Sequence, residues 1–219
     1  MKLDGVAWQR WVDWIGSVRI DLRSALTDRI VFRGFNDVVR ENELWIGDHY
    51  GAWFCEFIVH GYIARVATAV RRHSRDHKDA VTLDGLLDQM EKCAPQFTFD
   101  FYVEHRGGDA ENDFLQRATF KYVSEDGHVA SEKLIRRDID ELQRLTSKVE
   151  AFVDMHLAHL DRRQVPLVAT FNDLDDALNG LDRIACKYLT LLTGGSRATL
   201  APTIQEPWTD IFNVPLHKP

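Results

Sequence analysis

Trp8, Trp11, Ile15, Val18, Leu22 and Ala25 follow one another at alternating steps of three and four residues. An α-helix, at 3.6 residues per turn, puts such positions on one side, so the chain opens with a long amphipathic helix that needs partners. Other stripes supply them. A second long helix is predicted from about Gly51 to Arg75. A third, shorter helix runs from Thr82 to Cys93, with Thr82 as its cap, Leu83, Leu86, Leu87 and Met90 as its apolar side and Pro95 as its stop. The most regular stripe is Leu142, Leu145, Val149, Phe152, His156 and His159, which predicts a fourth helix from about Ser131 to Leu160. A fifth starts near Thr170, whose Thr-x-x-Asp spacing with Asp173 resembles a weak capping box, and ends at Gly194-Gly195. Together these stripes predict an all-α protein, an up-and-down bundle of four to five helices.

The segments between the stripes carry other signals. Gly34 and the charged run Asp37 to Glu43 predict a break in the first helix, then a short helix or loop. Phe97, Phe99, Phe101 and Val103 alternate with Thr98, Asp100 and Tyr102, and residues 118–123 alternate again before the turn signal Glu125-Asp126-Gly127. That period predicts a small β-hairpin or irregular insertion at about 96–130, too short to bury a core of its own. The tail from Arg197 carries Pro202, Pro207, Pro215 and Pro219, so it is no continuous helix, and Trp208, Ile211 and Phe212 are expected to pin it to the body.

Composition sets limits on function. The 219 residues are 45% hydrophobic and 28% charged, which suits one globular domain, 1–219, carrying the insertion. The net charge of −7 argues against a general DNA-coating protein, because phosphate binding needs a basic surface. Cys55, Cys93 and Cys186 stand far apart, without CxxC spacing, which disfavours a disulfide framework or a zinc site and suits a reducing cytosol. Asp4, Arg10 and Asp13 interrupt any signal peptide, and the longest apolar stretch, Gly51 to Val70, contains Glu56, His60 and Arg65, so no membrane span is expected and a cytoplasmic location is. Phosphate-loop, Gly-x-Ser-x-Gly and HExxH motifs do not occur, and no cofactor is expected.

Two clusters could carry chemistry. His156 and His159 extend the stripe of the fourth helix and are predicted to face the bundle interior, where imidazoles serve as general acid and base, or simply hydrogen-bond neighbours at a negative helix end. Arg71 and Arg72 open the run Arg71-Arg72-His73-Ser74-Arg75-Asp76-His77-Lys78, a candidate phosphate grip or a solvated basic helix end. Helical counting places His60 and Arg71 near one face, with Ala64 and Ala67 between them. Glu56 with His60, and His156 with His159, also have spacings used by metal sites in bundles, although the paired Glu-x-x-His motifs of di-iron bundles are absent. Arg136-Arg137, among Asp138, Asp140 and Glu141, reads as a salt-laced surface, and Arg162-Arg163 as a solvated helix exit.

Three segments resemble bacterial HEPN proteins, a superfamily named for nucleotide binding in higher eukaryotes and prokaryotes, and in particular their AbiU-type abortive-infection branch. They are Ala69 to Asp76 followed by Thr82 to Leu87, Lys148 to Asp161, and Phe171 to Thr193. The resemblance implies a HEPN-like helical bundle, often a homodimer, in which an Arg-polar-x(3–4)-His motif from each protomer forms a metal-independent ribonuclease cleft. Its histidine matches His159 and its polar residue Asp154, whereas the arginine falls at Val153. Arg71 or Arg72 would then supply the missing cation, and His156 a second proton carrier. The implied function is an endoribonuclease of phage defence or a toxin, with RNA as substrate and an antitoxin protein as a possible partner. The alternative is a catalytically inactive HEPN module that binds a nucleotide or a protein.

Overall fold

The computed structural model describes residues 2–41, 49–75, 79–107, 113–157 and 169–213. They form α1 (Gly5–Glu41), α2 (His49–Ser74), α3 (Leu83–Cys93), α4 (Phe99–Arg106), α5 (Asp113–Phe120), α6 (Glu132–Phe152) and α7 (Phe171–Thr193). Short 3-10 turns follow α3 (Ala94–Gln96) and close the tail (Trp208–Asn213), and a π-helical turn, Val153–Leu157, follows α6. Among these residues no helix is long and apolar enough to cross a membrane.

Local chemistry marks the helix ends. Asp4 Oδ1 accepts from the backbone N–H groups of Val6 and Ala7 at the head of α1. Thr82, Ser131 and Thr170 cap α3, α6 and α7, and Thr170 and Asp173 form a reciprocal capping box. Gly194 ends α7 in the left-handed conformation, φ 77°, which glycine adopts without a side-chain clash.

The predicted seam of α1 is buried along its length, from Trp8 and Trp11 to Leu22 and Ala25. At about 1.5–3 kcal/mol per fully buried large apolar side chain, this stripe outweighs any single polar contact in the bundle. The break expected at Gly34 does not occur. α1 runs straight through it, because Trp208 of the tail fills the space beside it: a Cβ at Gly34 would stand 2.6 Å from the indole ring. Phe212 packs on Phe35, with ring centroids 5.9 Å apart. Trp208 and Phe212 therefore hold the tail, while Ile211 is exposed.

Among the described residues of 96–130 the expected hairpin is also absent. Its first half is α4, capped by Thr98, whose hydroxyl accepts from the Phe101 N–H, and α5 follows. No strand is present among the described residues, and Thr98 and Val129 form only an isolated antiparallel bridge. The physical reason is an aromatic cluster: Phe97, Phe99, Tyr102 and Phe120 are buried against one another and against Trp8 and Trp11, largely edge to face. The turn around Gly127 is real, at φ 80°, with Ser124 Oγ accepting from its N–H.

Four helices close a ring, with α1 on α2, α2 on α6, α6 on α7 and α7 on α1, and α3 flanks α6. Ion pairs give the directions. Between α1 and α2, Arg65 meets Asp28 and Arg72 meets Asp21, so one partner rises by seven as the other falls by seven. Arg71–Asp154 and Arg75–Glu150 step oppositely by four between α2 and α6. Lys148–Asp173 and Arg183–Glu141 run in opposite directions between α6 and α7, as do Arg29–Asn179 and Arg33–Asp175 between α1 and α7. Each neighbouring pair is antiparallel, which is the up-and-down order predicted from the sequence. Arg136 pairs with Glu91 of α3 at the surface, whereas Asp138, expected in the same salt-laced surface, is buried and accepts from Lys187 and the Tyr188 hydroxyl of α7.

Candidate functional site

The site lies where α2 ends beside the end of α6. An α-helix places successive residues about 100° apart, so Arg71 and Arg72 cannot face the same neighbour. Arg71 points to α6 and Nε donates to Asp154 Oδ1 at 2.6 Å. One turn further along, Arg75 pairs with Glu150, a buried carboxylate that also accepts from Thr146 Oγ1 at 2.9 Å. A guanidinium has five N–H donors in a fixed fork, so Arg71 has the capacity to hold an anion besides Asp154.

Arg72 turns the other way. It pairs with Asp21 of α1, which also accepts from His73 Nε2 at 2.9 Å. The predicted grouping of Arg72 with His156 and Asp154 is therefore corrected: Arg72 belongs to the α1 contact. His73 is 1% exposed, and among the described residues its Nδ1 has no hydrogen-bond partner. The hydrogen bond from His73 holds the Asp21 carboxyl below its ordinary value of 3.8, helped by Arg72 and opposed by partial burial. In the sequence His73 reads as one member of a basic run. The signal was there: Val66, Val70 and His73 follow steps of four and three on one stripe, and all three are buried.

At the end of α6 the predicted stripe does not continue to the histidine. The chain widens into the π turn, and Val153, 5% exposed, continues the buried side beyond Val149. His156, expected inside the bundle, is exposed, with its ring centroid 5.3 Å from that of Phe152. Asp154 is half-buried between the two settings. His159 and Arg162-Arg163 lie outside the described residues. His60 and Glu56 are exposed on α2, and no group of three or more His, Cys, Asp or Glu side chains suited to a metal ion occurs among the described residues. The cysteines are free thiols, and burial pushes that of Cys186 up to about 12, far from a reactive thiolate.

Between α2, α6 and the start of α7 lies an apolar cavity of about 310 Å³, whose Ala67 is one helical turn before Arg71. Ala67, Val149 and Leu174 form its buried floor, and Ile63, Phe152 and Phe171 its walls. A second, polar cavity of about 430 Å³ follows the α1–α2 face past Asp21, Asp28, Arg65 and Arg72, whose charges pair off.

No family model, curated protein or solved structure matches the chain. Its chemistry therefore rests on the residues themselves: a guanidinium, a carboxylate and an exposed imidazole, from two helices, at one end of a helical ring.

Proposed function

We propose that the protein is a metal-independent endoribonuclease of HEPN type, acting in phage defence or as a toxin. The observation that carries this is the 2.6 Å contact between Arg71 and Asp154, two residues before His156. Arg71 takes the part of the arginine that the resemblance expects at Val153. In this reaction the 2′-hydroxyl of the RNA attacks the adjacent phosphorus, one of His156 and His159 removes its proton, and the other protonates the departing 5′-oxygen. The products are a 2′,3′-cyclic phosphate and a free 5′-hydroxyl. Arg71 offsets the charge that grows on the phosphate, and Asp154 fixes the guanidinium. DNA lacks the attacking hydroxyl and is left uncut. The working form would be a cytoplasmic homodimer that pairs two such sites, held in check by an antitoxin protein.

The test is cleavage of a labelled single-stranded RNA by the purified protein and by Arg71→Ala, His156→Ala and His159→Ala. Loss of a proton carrier should lower the rate by roughly 10²–10⁴-fold while circular dichroism stays unchanged. His159→Ala should also abolish growth inhibition on overexpression. Intact RNA with the parent protein, or full activity in His159→Ala, would sink the proposal. One observation favours a second reading, a catalytically inactive HEPN module that binds a nucleotide or a protein: Val153, at the expected arginine position, is a buried aliphatic side chain.

A further inference from the structure

We infer that the apolar cavity between α2, α6 and α7 receives a nucleobase of the RNA strand whose phosphate meets Arg71, an inference that rests on the ribonuclease reading above. The first argument is position. Ala67, in the cavity floor, is one helical turn before Arg71 on the same side of α2. A ligand seated there carries an anionic group one turn from a flat apolar body, which is how a nucleotide is built.

The second argument is the wall. Phe171 is half exposed, yet its ring is backed by Tyr62 and Phe32, stacked within 15° of parallel. The Phe32 and Tyr62 rings are themselves stacked, with centroids 4.0 Å apart and planes 5° apart. Phe171 is thus held as a rigid face, and Phe152 stands as a second aromatic wall. Aromatic faces bind unpaired bases by stacking, independently of sequence.

The third argument is what the lining lacks. Among the described residues Thr170 carries the lining's only hydroxyl, and that group is committed to the α7 cap: it donates to Asp173 Oδ2 at 2.7 Å and accepts from the Asp173 N–H at 3.2 Å. Among the described residues no side chain in the lining reads a base edge, so the cavity takes any base by its face. At about 310 Å³ it sits at the lower end of ligand-pocket sizes, which suits a compact ring system better than a long acyl chain.

The experiment titrates the full-length protein against fluorescein-labelled, ten-nucleotide 2′-O-methyl strands, which cannot be cleaved, by fluorescence anisotropy. One strand carries mixed bases and the other is fully abasic, with the same backbone charge. The intact strand should bind about tenfold tighter or more. Ala67→Leu, which fills the floor, should erase most of that preference and leave abasic binding as it was. Phe171→Leu, which keeps an apolar side chain but removes the stacking face, should also reduce it, should Ala67→Leu fail to fold. Equal binding of the two strands by the parent protein overturns the inference, as does an undiminished preference in both variants. Displacement of neither strand by a medium-chain fatty acid that itself fills the cavity also overturns it. RNA cleaved normally alongside equal binding sinks the cavity alone. If neither strand binds and no RNA is cut, the ribonuclease reading fails and the cavity inference falls with it.

Discussion

The two sides of the last turns of α2 carry the same functional groups in opposite settings. Toward α1, Arg72 and His73 share Asp21, and the imidazole is sealed at 1% exposure. Toward α6, Arg71 and Arg75 meet Asp154 and Glu150, and the nearby imidazole, His156, is open to solvent. A sealed imidazole fixed by a carboxylate can orient helices but cannot exchange protons with a substrate. An exposed one, two residues along the chain from the carboxylate that holds a partly exposed guanidinium, is open to a substrate. Residue type alone does not separate structure from chemistry here; access does.

The largest expected effect breaks the sealed side. Asp21→Ala strands the buried His73 Nε2–H without an acceptor, next to an Nδ1 that has no partner among the described residues. Leaving a buried polar group unsatisfied costs about 1–3 kcal/mol, and for a chain of this size each kcal/mol lowers Tm by roughly 2–4 °C. Thermal melts check this; a variant that melts with the parent protein would show that the α1 contact holds nothing. RNA cleavage per folded molecule should not change.

A smaller effect on stability sharpens the other side. The Arg71 and Asp154 side chains are 32% and 38% exposed, so Asp154→Ala should cost no more than about 1 kcal/mol, in the range of exposed ion pairs. Its main consequence should be lost cleavage, as the guanidinium is no longer held. A loss of stability as large as that of Asp21→Ala would erase the distinction between the sides.

The smallest effect uses a surface carboxylate as reference. The hydrogen bond from Lys148, with those from the Thr170 hydroxyl and N–H, holds Asp173 at about 2, below its ordinary 3.8. A lowered folded-state value contributes stability that is complete above pH 4 and is lost as pH falls toward 2. Asp173→Asn should flatten that part of the urea-melt profile between pH 5 and pH 2. An unchanged slope would mean that other carboxylates, Asp21 among them, carry the acid sensitivity.

The long helices were readable because stripes that span ten or more residues leave only one period consistent with them, and because Thr82, Thr170 and Gly194 mark ends by chemistry that acts locally. Residues 96–130 were not readable for the same reason in reverse. Phe97 to Val103 is short enough for alternation and helical spacing to fit equally, and its aromatic rings are buried in several directions at once. Gly34 misled because the ring that fills its space, Trp208, lies far along the chain. At the candidate site, Arg71 and Asp154 were both legible as functional types, but their contact needed α2 and α6 to be laid side by side. The exposure of His156 depends on a single widened turn, which no stripe in the sequence announces.

Helix α2 is cut like a key on two edges, with Arg65 and Arg72 matched to α1 and Arg71 and Arg75 matched to α6. Deleting one residue between Arg65 and Arg71 would turn everything beyond it by about 100°. Arg72 would then come round to the Asp154 side, and His73 would leave the core. Within this helix the chain should therefore accept exchanges of residue far more readily than any change in their number, and variation in length belongs in the connections.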